Sequence, residues 1–275
     1  MFQLFDTKIK INGNIIGLAK YEKPLCHGYR KSIPDPVNQK YPLQDSIAKS
    51  ARRSKTAFID LVNRSFGAKP RYARSGKWGL RFLTLTFAEN LQNRKLANYE
   101  FRQFVRRLEY FLGEKFLYVC VPERQKRGAY HFHLLMYSPF ILWEDILRIW
   151  NVNSQESRGA WIEKIRGIGN LGSYLAKYMS KDMSESDKYS KRYFGSRGLD
   201  RKLKIGRYLS ENSLEKGSDN VKFHLGEFIR EEKYFACEGK WTGRTQYASI
   251  ALQGNFHQRL ARFWEVVLLI ESTLP

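Results

Sequence analysis

Two histidines stand two positions apart in a segment of alternating aromatic and aliphatic residues, Tyr130–Tyr137. Side chains of a strand point to opposite faces in turn, so His131 and His133 would share one face, with Cα atoms roughly 7 Å apart. Two imidazoles in that arrangement can bind one divalent metal ion, and an acidic residue, Glu123, lies just upstream. A His-x-His pair alone is more often part of an ordinary half-buried strand, so a metal site needs support from elsewhere in the chain.

Two tyrosines and two lysines form a second set of reactive residues. In a helix predicted from Leu171 to about Asp182, one face carries Tyr174, Lys177, Tyr178 and Lys181, and the adjoining apolar stripe carries Leu171, Leu175 and Met179. A phenol oxygen can attack a phosphodiester once it has lost its proton. Its free pKa is about 10, so neighbouring ammonium groups and a metal-polarised phosphate would have to assist. The alternative is chance, because the chain has 16 Tyr and 48 Lys and Arg residues.

The elements around these residues follow a recognisable order. The pattern predicts a strand at 81–87, a helix capped by Asn93 and running to about Leu112, a strand at 115–121, a hairpin turn ending at Gly128, the histidine strand, a short helix at 143–150, a strand at 159–165 and the tyrosine helix. This order indicates an α+β fold, a ferredoxin-like antiparallel central sheet with helices packed on one face.

The two ends of the chain are harder to assign. We expect residues 1–75 to be a basic N-terminal extension of uncertain structure, interrupted by prolines and containing one basic helix at Gln44–Phe66. Its basic residues suit either a solvated surface or contact with DNA. Residues 76–235 would form the main domain, and residues 236–275 a C-terminal helical segment that packs on it.

The charge of the chain predicts its partners. It has 48 Lys and Arg against 27 Asp and Glu, a net charge of +21, which favours binding to a phosphate backbone. No apolar run approaches the ~20 residues needed to span a bilayer, and the first residues lack a secretory signal pattern. The three cysteines are widely spaced and predict free thiols in a reducing compartment. We therefore expect a cytoplasmic protein that binds nucleic acid and no membrane.

Taken together, the motifs resemble those of a known superfamily. The His-hydrophobic-His motif at 131–133, followed by Tyr-Leu-Ala-Lys-Tyr at 174–178, is similar to the HUH endonucleases, and among them to rolling-circle replication initiators with two tyrosines. Residues 82–87 resemble the first motif of these initiators, and residues 193–199 a segment found in members from single-stranded DNA phages. The likeness extends to initiators of bacterial plasmids. It covers roughly residues 78–200 and implies the HUH endonuclease fold.

The resemblance implies a metal site on the histidine strand. His131 and His133 would bind one Mg²⁺ or Mn²⁺, with Glu123 on the preceding strand as the third ligand. One carboxylate oxygen, two imidazoles and open water positions suit these ions better than a closed zinc site. The ion would polarise a non-bridging oxygen of the scissile phosphate.

The resemblance also implies a catalytic role for the tyrosine helix. Tyr174 or Tyr178 would attack single-stranded DNA at an origin, leaving a covalent 5′-phosphotyrosine link and a free 3′-OH that primes synthesis. The other tyrosine would later cleave the regenerated junction and allow the ends to be rejoined. We favour Tyr178 for the indispensable role, and Lys177 would stabilise charge on the phosphate or lower a tyrosine pKa. The candidate DNA contacts are Lys181, Arg197, Arg127 and Arg124.

The expected function is therefore that of a metal-dependent, site-specific DNA endonuclease and strand transferase that initiates and terminates rolling-circle replication. Its partners would be a hairpin origin in single-stranded DNA, a host DNA polymerase and, because the chain has no P-loop motif, a host helicase in a bacterial cytoplasm. Three alternatives remain: an HUH tyrosine transposase, which shares every motif; a conjugative relaxase, which usually places its tyrosine before the histidines; and a non-catalytic DNA- or RNA-binding protein.

Overall fold

Two compact units divide the chain, one formed by Gln44–Asp200 and the other by Met1–Leu43 together with Arg201–Pro275. The structure is a computed structural model that describes residues 3–27, 43–70, 77–154, 157–163, 165, 168–179, 191–202, 204–208, 221–239, 242–254 and 256–272.

The labelled elements follow one another in chain order. They are β1 (Gln3–Asn12), β2 (Ile15–His27), α1 (Leu43–Phe66), β3 (Gly79–Thr86), α2 (Arg94–Leu112), β4 (Leu117–Arg124), β5 (Tyr130–Ser138), α3 (Trp143–Trp150), β6 (Gly159–Glu163), α4 (Leu171–Ala176), β7 (Phe194–Gly195), β8 (Lys204–Tyr208), β9 (Ile229–Gly239), β10 (Gly243–Leu252) and α5 (His257–Ser272). Helical turns at 221–228 precede β9. No described helix combines the length and the apolar character needed to cross a bilayer.

The Gln44–Asp200 unit is built on a five-stranded antiparallel sheet in the order β6-β3-β5-β4-β7. Alternation along β5 sends Phe132 and Leu134 into a core with α2 and α3, and Leu135 into a second core with α1 and α4. The predicted α+β class with an antiparallel sheet is confirmed, and the arrangement is consistent with the HUH endonuclease fold. Helices cover both faces of the sheet, however, whereas one covered face was expected, because α1 adds a second layer.

Local signals in this unit match their predictions. The Asn93 side chain accepts hydrogen bonds from the amides of Lys95 and Leu96 and so caps α2, which ends at Gly113 with a positive φ of 70°. Gly128 has φ of 92° in the β4–β5 hairpin, a backbone conformation that glycine adopts most readily. The predicted helices at 143–150 and 44–66 are also present, as α3 and α1.

The other unit contains a sheet in the order β8-β1-β2-β10-β9. β1 and β2 form a hairpin whose two-residue turn begins at Gly13, with φ of 60°. Phe263 and Val267 of α5 pack with Ile9 and Leu18 in the core of this unit. The three segments expected from the sequence divide the chain differently, because the N-terminal strands pair with β8 and β10, and α5 packs with them rather than with the histidine sheet.

Candidate active site

One face of the histidine sheet, called here the site face, carries both histidines. Residues paired across β6, β3, β5 and β4 point to the same face. Three such rows follow one another: Gly159, Thr86, His131 and Glu123; then Trp161, Thr84, His133 and Val121; then Glu163, Phe82, Leu135 and Val119. The expected placement of His131 and His133 on one face is therefore observed, and Glu123 lies opposite His131.

His133 is the most constrained of these side chains. It is only 6% exposed, its Nε2 hydrogen-bonds with Glu123 Oε2 at 2.7 Å, and its Nδ1 hydrogen-bonds with Thr84 Oγ1 at 3.1 Å. Its ring stacks on that of Tyr178, with centroids 3.8 Å apart and planes 19° from parallel. The strand and the segment after α4 therefore meet at this ring.

His131 has no such partners. Its Nε2 is buried and forms no hydrogen bond with any residue that the structure describes. Burial lowers the pKa of His131 to about 4; the neighbouring His133 and Arg127 act in the same direction, and Glu123 opposes them. The imidazole is therefore neutral near pH 7, with a buried nitrogen available to a ligand.

The described residues fit a divalent metal ion in their chemistry, although their side chains are not arranged around one. Within the described part of the chain, no group of three His, Cys, Asp or Glu side chains has a geometry that could hold a metal. Glu123 and His133 instead bond to each other, and an ion would replace that hydrogen bond. A carboxylate, two imidazoles and the orphaned Nε2 of His131 form a donor set that suits Mg²⁺ or Mn²⁺.

The tyrosines lie over the site face, on and just after α4. The ring of Phe82 contacts both: Tyr174 edge-on with centroids 5.6 Å apart, and Tyr178 stacked at 5.4 Å. The helix is shorter than expected, because it ends at Ala176 and the amide of Tyr178 bonds to the carbonyl of Leu175, three residues back. The apolar stripe is confirmed: Leu171, Leu175 and Met179 are all buried in the core with α1.

Lys177 lies beside both phenols. Its Nζ is 3.9 Å from the ring centroid of Tyr174 and 4.7 Å from that of Tyr178. Desolvation lowers the pKa of Lys177, but its interactions with the two tyrosine hydroxyls outweigh this effect, and the net pKa is raised. Lys177 is therefore a cation held against both candidate nucleophiles.

Glu163 is a site residue that the motifs did not reveal. The hydroxyl of Tyr174 donates to Glu163 Oε2 at 3.0 Å. Desolvation and this hydrogen bond raise the pKa of Tyr174, while Lys177 opposes the shift. Two tyrosines on one turn thus have different surroundings, since Tyr178 stacks on a histidine and Tyr174 bonds to a carboxylate.

Buried polar contacts fix α4 to α1. The Asn63 side chain accepts a hydrogen bond from the Gly172 amide at 2.8 Å and donates one to Asn170 Oδ1 at 3.0 Å. Asn170 caps α4 by accepting from the Ser173 amide. A Cβ on Gly172 would lie 2.4 Å from the Ile59 carbonyl oxygen, so the two helices approach at a point where only glycine fits.

Replacing Gly172 with Ala is expected to destabilise the protein by about 1–3 kcal/mol, because the added methyl group meets backbone atoms that cannot turn away. Thermal unfolding measures this effect. Ser173→Ala is the matched control: Ser173 is exposed on the same helix, and its change should stay within about 0.5 kcal/mol. Equal midpoints for the Gly172 variant and the wild type would contradict the close packing.

An open groove of about 800 Å³ lies beside the histidines. It is lined by Thr86, Phe87, Glu123, Arg124, Gln125, Lys126, Arg127 and His131. The structure therefore brings two of the predicted DNA contacts, Arg124 and Arg127, to the rim of the site. Arg197 is exposed beyond β7, and no described contact joins it to the histidines or tyrosines. Lys181 lies outside the described residues.

Charge is concentrated in the unit that holds the site. Residues 44–200 contain 29 of the 48 basic residues but only 15 of the 27 acidic ones, which accounts for +14 of the net +21. Such an excess attracts a polyanion to the surface around the site.

Comparison with known proteins agrees with this location. Residues 80–183, less than half of the chain, match a family described as "Replication-associated protein". No curated protein and no solved structure matches the chain. The matched segment runs from β3 to just beyond α4, so it contains both histidines and both tyrosines. This similarity to replication-associated proteins supports a replication initiator.

Proposed function

We propose that the protein nicks single-stranded DNA at a replication origin by tyrosine attack and later rejoins the ends, as a two-tyrosine HUH replication initiator would. The observation that carries the proposal is the stacking of Tyr178 on His133, with centroids 3.8 Å apart. A nucleophile and a metal-ligand type thereby share one small surface, as attack on a phosphate bound there requires.

The reaction would be a transesterification. A tyrosine oxygen loses its proton and bonds to phosphorus, while the bond from phosphorus to the 3′-oxygen breaks and that oxygen gains a proton. The products are a 5′-phosphotyrosine and a 3′-OH that a polymerase can extend. The second tyrosine would repeat this attack on the regenerated junction, and the free 3′-OH would then displace the first tyrosine.

The residues of the chain divide this work. Lys177 would stabilise a phenolate on either tyrosine and negative charge on the phosphate. Glu163 holds the Tyr174 hydroxyl and can accept its proton. His131, His133 and Glu123 would hold a Mg²⁺ or Mn²⁺ ion, whose contribution is Lewis-acid polarisation of a phosphate oxygen. Arg124 and Arg127 at the groove would bind the DNA backbone.

We expect the purified protein with Mn²⁺ or Mg²⁺ to cleave single-stranded hairpins taken from the DNA that flanks its gene. An oligonucleotide labelled at its 3′ end should move to the protein band in a denaturing gel, because the protein stays on the 5′ end of the downstream fragment. The same oligonucleotide labelled at its 5′ end should give a shorter free product that a polymerase extends.

Chelation of the metal is the control for this assay and should stop both products. Cleavage without any covalent protein–DNA band would contradict the tyrosine mechanism. A covalent band at the 3′ side of the cut would contradict the proposed polarity.

A further inference from the structure

Trp161 lies on the site face with most of its surface in solvent. It is 65% exposed on β6, the edge strand of the sheet. Its neighbours Ala160 and Ile162 belong to the core with α2 and α3, so the strand is anchored through its opposite face. The indole is therefore held on a rigid strand without being part of the core.

The position of Trp161 relates it to the chemistry of the site. It pairs with Thr84, which pairs with His133, so the three side chains stand in one row. Trp161 and His133 are separated by two strand spacings, roughly 10 Å at ~4.8 Å each. Two residues along β6, Glu163 holds the hydroxyl of Tyr174.

The basic rim lies on the other side of the histidines. Arg124, Lys126 and Arg127 are exposed in the β4–β5 hairpin, whereas Trp161 is on β6, beyond β3. A chain of nucleotides crossing the site face would meet the basic hairpin, then the histidines and tyrosines, then the indole.

We propose that Trp161 is a stacking subsite for an unpaired base of the DNA strand cut at this site. The inference rests on the proposed function, which places a scissile phosphate over the histidines. An exposed indole accepts the face of any base without reading its sequence, and it requires a base that is out of its duplex. Trp161 would thus favour single strands and hold the nucleotide next to the reacting phosphate in place.

Binding should be measured on full-length protein in which Tyr174 and Tyr178 are both Phe, so that cleavage does not interfere. Adding Trp161→Ala to this protein should weaken its affinity for single-stranded oligodeoxythymidine roughly tenfold. Trp161→Phe should retain most of the affinity, because a ring is still present. Affinity for a duplex of the same length should change little.

Tyr110→Ala is the matched control. Tyr110 is 91% exposed on α2, the helix that packs on the opposite face of the sheet, so its removal should leave single-strand affinity unchanged. A second measurement is tryptophan fluorescence. Oligodeoxythymidine should quench one component of the emission, and that component should be missing in the Trp161→Phe protein.

The proposal is overturned if Trp161→Ala leaves single-strand affinity unchanged, if it weakens duplex binding equally, or if Tyr110→Ala has the same effect. These results are independent of catalysis. A wild-type protein that cleaves DNA while Trp161→Ala binds normally would retain the proposed function and lose the subsite. Trp161-dependent binding by a wild-type protein that never cleaves would support the subsite and contradict the proposed function.

Discussion

Replacing both Tyr174 and Tyr178 with Phe is expected to abolish DNA cleavage and covalent attachment, with a loss of at least about 10³-fold. That loss corresponds to roughly 4 kcal/mol of activation free energy at 1.36 kcal/mol per tenfold. The substitution removes both candidate nucleophilic oxygens and keeps both rings, so the contacts with Phe82 and His133 can remain. DNA binding should therefore be nearly unchanged.

The single variants are expected to differ. Tyr178 stacks on His133, whereas the hydroxyl of Tyr174 bonds to Glu163 on the edge strand. If the first cut takes place nearest the histidines, Tyr178→Phe should lose most of the initial cleavage. Tyr174→Phe should still cleave once and fail mainly in the rejoining step. Initial cleavage and strand joining, measured separately on labelled oligonucleotides, distinguish these outcomes.

Tyr110→Phe is the control for both singles, because this tyrosine is exposed and lies on α2, away from the site face. Full cleavage and attachment by the double Phe protein would eliminate the tyrosine nucleophiles. Equal effects of the two single variants on every step would instead eliminate the division of roles between Tyr174 and Tyr178.

Features that depend on neighbouring residues were predictable from the sequence. The alternation of β5 places the two histidines on one face, and the spacing of Tyr174 and Tyr178 places both rings on Phe82. Capping by Asn93 and the positive φ of Gly128 also follow from local chemistry. The pairing of Glu123 with the histidine strand follows from a short hairpin.

Features that depend on distant pairing were not predictable. Glu163 reaches Tyr174 only because β6 pairs with β3, a strand about eighty residues earlier in the chain. Asn63 contacts the α4 segment from a helix more than a hundred residues away, and nothing around it marks that role. The N-terminal strands were taken for an irregular extension because their partners, β8 and β10, lie at the other end of the chain.

The early end of α4 has a similar origin. Periodicity alone extends the helix to about Asp182, because nothing local stops it after Ala176. In the structure, Tyr178 and Met179 turn more tightly, with amide bonds to carbonyls three residues back. The Tyr178 ring then lies flat on His133, a contact with another element that helical propensity does not contain.

Replacing His131 and His133 together with Ala is the second change with a large expected effect, and it should abolish cleavage while salt-sensitive DNA binding remains. Removing both imidazoles leaves Glu123 as the only protein donor of the proposed set, which is too few to hold Mg²⁺ or Mn²⁺ in place. The basic groove residues that attract the phosphate backbone are untouched. Cleavage as a function of Mn²⁺ concentration and calorimetric titration with Mn²⁺ measure the two consequences separately.

The single variants separate metal binding from folding. His133→Ala removes hydrogen bonds to Glu123 and Thr84 and the stacking with Tyr178, so we expect it to lose about 1–3 kcal/mol of stability as well as activity. His131 Nε2 makes no hydrogen bond with a described residue, so His131→Ala should unfold at nearly the wild-type temperature. Its cleavage should still fall by at least about 10²-fold.

His131→Ala is thus the sharper test, because lost activity in a stably folded variant cannot be attributed to a disturbed sheet. His257→Ala, at an exposed position of α5 in the other unit, serves as its control and should retain both Mn²⁺ binding and cleavage. Wild-type cleavage by the double Ala protein would end the metal hypothesis. Lost cleavage with unchanged Mn²⁺ affinity would mean that the imidazoles contact the DNA or position Tyr178, and that any ion binds elsewhere.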